Sequence, residues 1–435
     1  MPIKGRRRCR SLPPDILSNL PDNIIDVILI CLPCKEAVRT SILSKKWRYR
    51  WCRLTELTID QSHWSTEEDL VDPTVKFSKI VYQLLTLHKG PITKFTLDIT
   101  GLRSCPEIDF FIYFLSMNGI QHLVFHLPWN EDEAYKLSSL FTCSQLRHLT
   151  LENCFIHPPS SFQGFDKLIT LELCNVTISF ELLGSLISRC SLLEKLVLEI
   201  SGVPISYIIE INASKLKSFD FSGCISYISL TNVPLLTKVS LNLYEGSSME
   251  AQNLYFVKFF ESCFALEHLH VHFCFEQFEC AKPDEAPTRL PFDHSRVKRF
   301  YVRDILLEDI YDTLCCFSLI RSFSYLEYLE LKLFTEDDDG TAEFLELERF
   351  SDVTFNHLRE VKLEDFHGRA PQMQFVKLLF AKSPVLVRVT IDSYSRPKRR
   401  SKILAKVSKF WHLSPKVEVI YRDLWSGNVF EVEVE

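Results

Sequence analysis

From Leu54 onward one hydrophobic pattern governs the chain: apolar, two others, apolar, one other, apolar. It reads Leu54-Leu57-Ile59, Ile92-Phe95-Leu97, Ile120-Leu123-Phe125 and Leu146-Leu149-Leu151, then Leu168-Leu171-Leu173, Leu193-Leu196-Leu198, Leu216-Phe219-Phe221 and Leu236-Val239-Leu241. Leu266-Leu269-Val271, Val297-Phe300-Val302, Leu326-Leu329-Leu331, Leu358-Val361-Leu363 and Leu386-Val389-Ile391 complete the series. Successive side chains of a strand point to opposite faces, so the last two apolar residues of each triplet share an inward face and their neighbours face out. One such strand hides nothing by itself and must stack on the next. Thirteen parallel strands are predicted.

After the first, successive triplets start 20 to 32 residues apart. That leaves room for the crossovers of a dozen or more residues that parallel strands require. Phe180 to Arg189 and Asn253 to Ser262 have helical patterning and can serve as two of them. The repeat is the leucine-rich-repeat signature, with Cys154 and Cys224 filling its Asn/Cys position. The predicted fold class is α/β, an irregular solenoid with a parallel sheet and helical crossovers. From about Ser351 a strand leads into a helix with Phe375, Val376, Leu379 and Phe380 inward, then another strand. An amphipathic helix with Ile403, Leu404, Val407, Phe410 and Trp411, the first four forming a core stripe, and a strand over Val417 to Tyr421 follow. Together they read as a cap over the end of the repeat core.

Ahead of the repeats, Leu20 to Trp51 reads as three short helices. Ile24, Ile25, Ile28, Leu29 and Leu32 recur at helical spacing, and Pro33 stops the first helix. A second spans roughly Lys35 to Leu43, and Ser44 is placed to cap a third carrying Trp47 and Trp51. About 30 residues cannot bury so many large side chains alone. The chain is expected to leave the Leu20, Pro21, Ile25, Leu29 and Trp47 surface half-covered, to be finished by a second protein.

The ordered run from Leu20 to Trp51, with KEAVRTS and LSKKWR at its centre, resembles the F-box of plant F-box/leucine-rich-repeat proteins with a C-terminal FBD domain. The segment from about Ser351 resembles the FBD domain itself. By that resemblance the chain divides into a basic tail (1–16), an F-box (17–53), leucine-rich repeats (54–350) and an FBD cap (351–435). The resemblance implies docking of a SKP-type adaptor and, through it, a cullin of a ubiquitin ligase. The adaptor contact is assigned to Leu20, Pro21, Ile24, Ile25, Ile28, Leu29, Leu32, Pro33, Val38, Leu43, Ser44 and Trp47. Cys34 stands where a better helix-capping residue is expected. The repeats are then expected to hold a protein substrate. A scaffold that binds a partner without ubiquitin transfer is the alternative.

Composition narrows the setting. The chain has 435 residues, 46% hydrophobic and 24% charged, with a net charge of −6, which gives no general pull towards nucleic acid or an anionic membrane. No apolar run reaches the roughly 18–20 residues needed to span a bilayer. The basic start MPIKGRRRCR is followed by no apolar signal core, and fifteen cysteines, an odd number, show no framework of fixed spacings. Free thiols in the cytosol or nucleus are expected, and Arg6 to Arg8 and Pro397 to Arg400 are possible import signals.

No catalytic signature is found. The twelve glycines form no phosphate loop, there is no GxSxG or HExxH, and the lone CxxC, Cys31 to Cys34, has no second pair. Neither an enzyme nor a cofactor or metal is expected, and Glu336 to Gly340 lacks the alternating ligand pattern of a calcium loop. The outward strand positions are more informative. One strand presents His268, His270 and His272, and the next presents Arg299, Tyr301 and Arg303. Stacked, they form a patch suited to phosphate or carboxylate and expected to strengthen as pH falls towards 6. A solvated sheet face is the plain alternative; three histidines along one strand diverge too far for one metal ion.

Overall fold

The computed structural model describes residues 16–17, 19–61, 73–100, 102, 105, 107–129, 135–200, 208–224, 228–243, 258–273, 294–307, 310–334, 353–415 and 417–432. The basic residues Arg6 to Arg8 and the acidic run Glu336 to Gly340 lie outside them. The chain forms two compact units, 1–162 and 163–435, so the N-terminal module shares a unit with the first repeats.

In the first unit α1 (Asp22–Ile30) and α2 (Cys34–Arg39) open the module, with α2 running on into a 3-10 turn at Thr40–Ile42. The expected third helix does not form. Ser44 Oγ accepts from the backbone of Lys46 at 3.3 Å in a local turn, Tyr49 turns left-handed at φ 64°, and only a 3-10 segment, Arg50–Arg53, follows. A left-handed residue cannot propagate a right-handed helix, so the segment breaks after one turn. Trp51, Cys52 and Leu54 are buried, and Cys52 and Thr55 carbonyls accept from Lys89 and Thr93. These bonds tie the module to the sheet.

That sheet has four strands here: β1 (Glu56–Ile59), β2 (Lys94–Asp98), β3 (His122–His126) and β4 (His148–Glu152), all parallel and in chain order. Helices α3 (Pro73–Leu87) and α4 (Ile108–Met117) cross between strands. They bury Phe77, Val81, Phe111 and Ile112, with Phe77 and Phe111 edge to face at 6.4 Å.

The second unit continues the same logic through β5 (Thr170–Cys174), β6 (Lys195–Glu199), β7 (Ser218–Gly223), β8 (Lys238–Leu243) and β9 (His268–Phe273). β10 (Arg299–Ile305), β11 (Tyr328–Leu333), β12 (Glu360–Glu364), β13 (Arg388–Ser393) and β14 (Glu418–Asp423) follow, each parallel to its neighbours. β15 (Asn428–Val432) closes the series antiparallel to β14. All thirteen triplets lie where the pattern put them, with their last two apolar residues on strands β1 to β13 and buried. Helices α5 (Phe180–Ser188), α6 (Ile310–Arg321), α7 (Ala370–Lys382) and α8 (Pro397–Val407) supply crossovers in this unit. Ser179 caps α5 by accepting from Leu182, and α7 buries the four expected residues, Phe375, Val376, Leu379 and Phe380. α8 ends before Phe410 and Trp411, and Trp411 is exposed, while Ile403 and Val407 are buried.

Several strand exits use left-handed residues: Asn153 after β4, Asn175 after β5 and Asp365 after β12, with φ of 55°, 52° and 54°. Asparagine and aspartate tolerate that conformation better than branched residues do. Asn153 Nδ2 also donates to the Leu127 carbonyl of the preceding repeat at 2.8 Å. Inside β10 the register with β11 shifts between Val302 and Ile305, and Asp304 sits there at φ 55°.

Gly368 enters α7 at φ 67°, and a Cβ there would lie 2.4 Å from Ile403 Cγ1 of α8. Gly368→Ala therefore meets both a strained backbone and a clash. It is expected to destabilise the second unit by about 1–3 kcal/mol, read as a lower urea midpoint at unchanged slope.

Candidate functional site

The N-terminal module carries two apolar faces. On α1, Ile25 and Leu29 lie one helical turn apart and are buried. Trp47 is 2% exposed, and its indole Nε1 donates to the Leu17 carbonyl at 3.0 Å. Arg50 pairs with Asp22 and lies 3.6 Å from Asp26, fastening α1 to the 3-10 segment that follows. That guanidinium holds the Asp22 carboxyl below its ordinary pKa.

The contact expected from the sequence therefore needs correcting at three positions. Ile25, Leu29 and Trp47 are core residues, covered by their own chain and not open to a partner. Leu20, Ile28, Leu32, Val38 and Ser44 are half-buried, and Pro21, Ile24, Pro33 and Leu43 are exposed. Opposite the buried pair, Ile24, Val27 and Ile30 form a second apolar row, with Val27 58% and Ile30 71% exposed. Ile42, in the 3-10 turn after α2, is 88% exposed. Sequence reasoning missed Val27, Ile30 and Ile42. The signal was present, because α1 is apolar nearly all round, which an ordinary surface helix is not.

Cys34 is the first residue of α2 and is buried; Pro33 is the N-cap, and no side chain caps the helix. Burial pushes the Cys34 thiol up to about 11, the wrong direction for a thiolate metal ligand. Among the described residues no group of three or more His, Cys, Asp or Glu side chains could hold a metal ion.

The second candidate lies on the strand face of unit two. β9 and β10 pair His268 with Arg299, His270 with Tyr301 and His272 with Arg303, so the six expected residues come together. The Arg299 guanidinium sits 5.2 Å above the Tyr328 ring and donates to Tyr301 Oη at 3.5 Å. Rings of His270 and Tyr301 are 5.8 Å apart, and those of Tyr301 and Tyr328 are 5.4 Å apart. Tyr328 Oη donates to Glu330 at 2.5 Å. The irregularity in β10 brings Asp304 to this face, 2.8 Å from His272 and 3.4 Å from Lys332.

Two of the three histidines titrate lower than a free imidazole. Burial depresses His268, helped by Lys238 and Arg299, and burial depresses His270, helped by Arg303 and His272. Both effects disfavour the imidazolium. The gain of charge expected near pH 6 is thereby moved to lower pH at these two positions.

Two family models match the chain: the F-box domain over residues 17–57, and the LRR repeats of "FBD-associated F-box protein At5g56370" over residues 108–258. F-box/FBD/LRR-repeat protein At1g13570 of Arabidopsis thaliana is 31% identical over 419 residues, 94% of this chain and 98% of its own. F-box/FBD/LRR-repeat protein At5g56420 of the same plant is 30% identical over 253 residues, 55% of this chain and 58% of its own. Among solved structures, an internalin of Listeria monocytogenes aligns over 91% of this chain and 96% of its own, at 11% identity and a TM-score of 0.36.

Proposed function

The chain belongs to the F-box/FBD/LRR-repeat family, and on that premise we propose that it is the substrate-recognition subunit of a SKP-cullin-F-box ubiquitin ligase. Residues 17–53 dock the adaptor, the strands of 54–350 present a target protein, and 351–435 form the FBD cap. The chain itself does no covalent chemistry. It raises the effective concentration of a target lysine near a charged carrier enzyme, and holding two reactants together can replace an improbable encounter. Work in the cytosol or nucleus suits the eleven free cysteines among the described residues.

One observation carries the proposal. α1 spends one apolar face on its own chain and keeps a second, with Ile24, Val27 and Ile30, uncovered. Exposed apolar residues gathered in this way mark an interaction surface. Co-expression with a SKP-type adaptor and a cullin is expected to give a complex that survives gel filtration. Leu20→Ala with Pro21→Ala is expected to weaken it. Recovery of the chain without adaptor at micromolar concentrations would overturn the proposal, and recovery with adaptor but without cullin would leave a binding scaffold in its place.

A further inference from the structure

Along the strand face of unit two, cations are matched by acids on neighbouring strands. Lys195 lies 2.5 Å from Glu172, Lys362 lies 3.0 Å from Glu330, Arg388 lies 2.9 Å from Glu418, and Arg422 lies 2.6 Å from Asp392. Such cross-strand pairs leave little net field at their positions.

Across β8, β9 and β10 the matching thins to one contact, His272 with Asp304. Their register aligns Lys238 with His268 and Arg299, Ser240 with His270 and Tyr301, and Asn242 with His272 and Arg303. None of these nine outward residues is an acid. Among the described residues, Lys238, Arg299 and Arg303 have no carboxylate within ion-pair distance. Of the acids at the borders, Asp220 bonds Ser240, Glu330 holds Tyr328 and Lys362, and Asp304 holds His272 and Lys332, while Glu360 and Glu267 reach Arg299 and His268 only through longer-range attraction. A gap in an otherwise neutralised face leaves a local positive field for a partner to fill.

Its geometry is specific. Arg299 and Arg303 are four residues apart on one strand, about 13 Å at the ordinary rise, with Tyr301 between them on the same face. Packing over Tyr328 steadies the Arg299 guanidinium, whose planar fork suits carboxylate or phosphoryl oxygens. An extended peptide has the same rise, so two acids at positions i and i+4 of a partner span the two arginines. The residue midway between them meets the Tyr301 ring.

We propose that β8 to β10 bind an extended acidic segment of a protein partner, with anionic side chains four residues apart seated on Arg299 and Arg303 and Lys238 flanking them. This deepens the substrate-receptor reading and rests on it for its biological use. The anion is a carboxylate or a phosphoryl group; the chemistry is shared.

Fluorescence anisotropy on the full chain tests it with three labelled peptides of one Gly-Ser frame, carrying Glu, phosphoserine or Gln at the two positions. At least one acidic peptide is expected to bind about tenfold or more tightly than the Gln peptide, and to weaken as salt rises. Phosphoserine well ahead of Glu identifies a phosphoryl ligand, and equality identifies carboxylate. Arg299→Glu with Arg303→Glu is expected to lose that preference, whereas Arg388→Glu, on the same face but already paired, keeps it. No binding of either acidic peptide at about 1 mM, equal binding of the Gln peptide, or an unchanged double variant would overturn the proposal. Adaptor binding is measured on the same variants. Retained adaptor with lost peptide isolates this site, and retained peptide without adaptor sinks only the ligase reading.

Discussion

Aspartate at both Val27 and Ile30 is expected to weaken adaptor binding strongly and to leave the chain folded. Both side chains are mostly exposed and lie on the side of α1 away from Ile25 and Leu29. Surface changes of this kind usually alter stability by no more than about 0.5 kcal/mol. In the proposed complex the same positions are covered. Burying a valine or isoleucine is worth about 1.5–3 kcal/mol, and a carboxylate forced into that contact adds a desolvation cost. The affinity is expected to fall at least about 100-fold, measured by calorimetry against purified adaptor. Trp47→Ala is the informative contrast. It removes a core residue that also donates to the Leu17 carbonyl, so stability and binding are lost together. If Val27→Asp/Ile30→Asp bound adaptor normally, docking would use another face.

The second large effect is on stability. Phe300 is fully buried in the middle of β10, flanked in register by Leu269 and Leu329, with its ring edge to face with Phe323 at 5.3 Å. Phe300→Ala is expected to cost about 3–5 kcal/mol, because the lost transfer energy is joined by a cavity that stacked strands cannot close. Repeats hold one another by nearest-neighbour contacts, so the damage should be local at first. Amide exchange is expected to accelerate in β9 to β11 well before β5 and β6 respond. A uniform rise over the unit would mean that it opens as one block.

The strands were legible because their code is short and strict. A period-two pair preceded by an apolar residue three positions earlier admits one inward face, and all thirteen triplets obey it. Register followed from the same code, which is why His268 to Arg303 could be assembled on paper. The N-terminal module was less legible. Six of the nine residues of α1 are Ile, Val or Leu, so periodicity cannot say which face the chain keeps for itself. Trp47 is assigned to the docking surface because about 30 residues cannot bury so many large side chains alone; it is nevertheless buried and donates to the Leu17 carbonyl, thirty residues away. The break at Tyr49 and the irregularity at Asp304 are backbone events that no apolar pattern marks. The lowered His268 and His270 values arise from burial and from cations on strands far apart in sequence.

β15 has a consequence for how these molecules behave in a crowd. A row of parallel strands ends in a line of unpaired amides and carbonyls, to which the leading strand of another molecule could add without reversing direction. Repetition of that step is head-to-tail polymerisation, since the joined surfaces differ and the contact never closes on itself. Here the last parallel strand is already occupied by a five-residue strand running the opposite way, with Glu431 beside Val432 and most of its side chains exposed. A newcomer meets the wrong polarity, a short template and a negative charge. The reversal makes this end a poor seed for fibres.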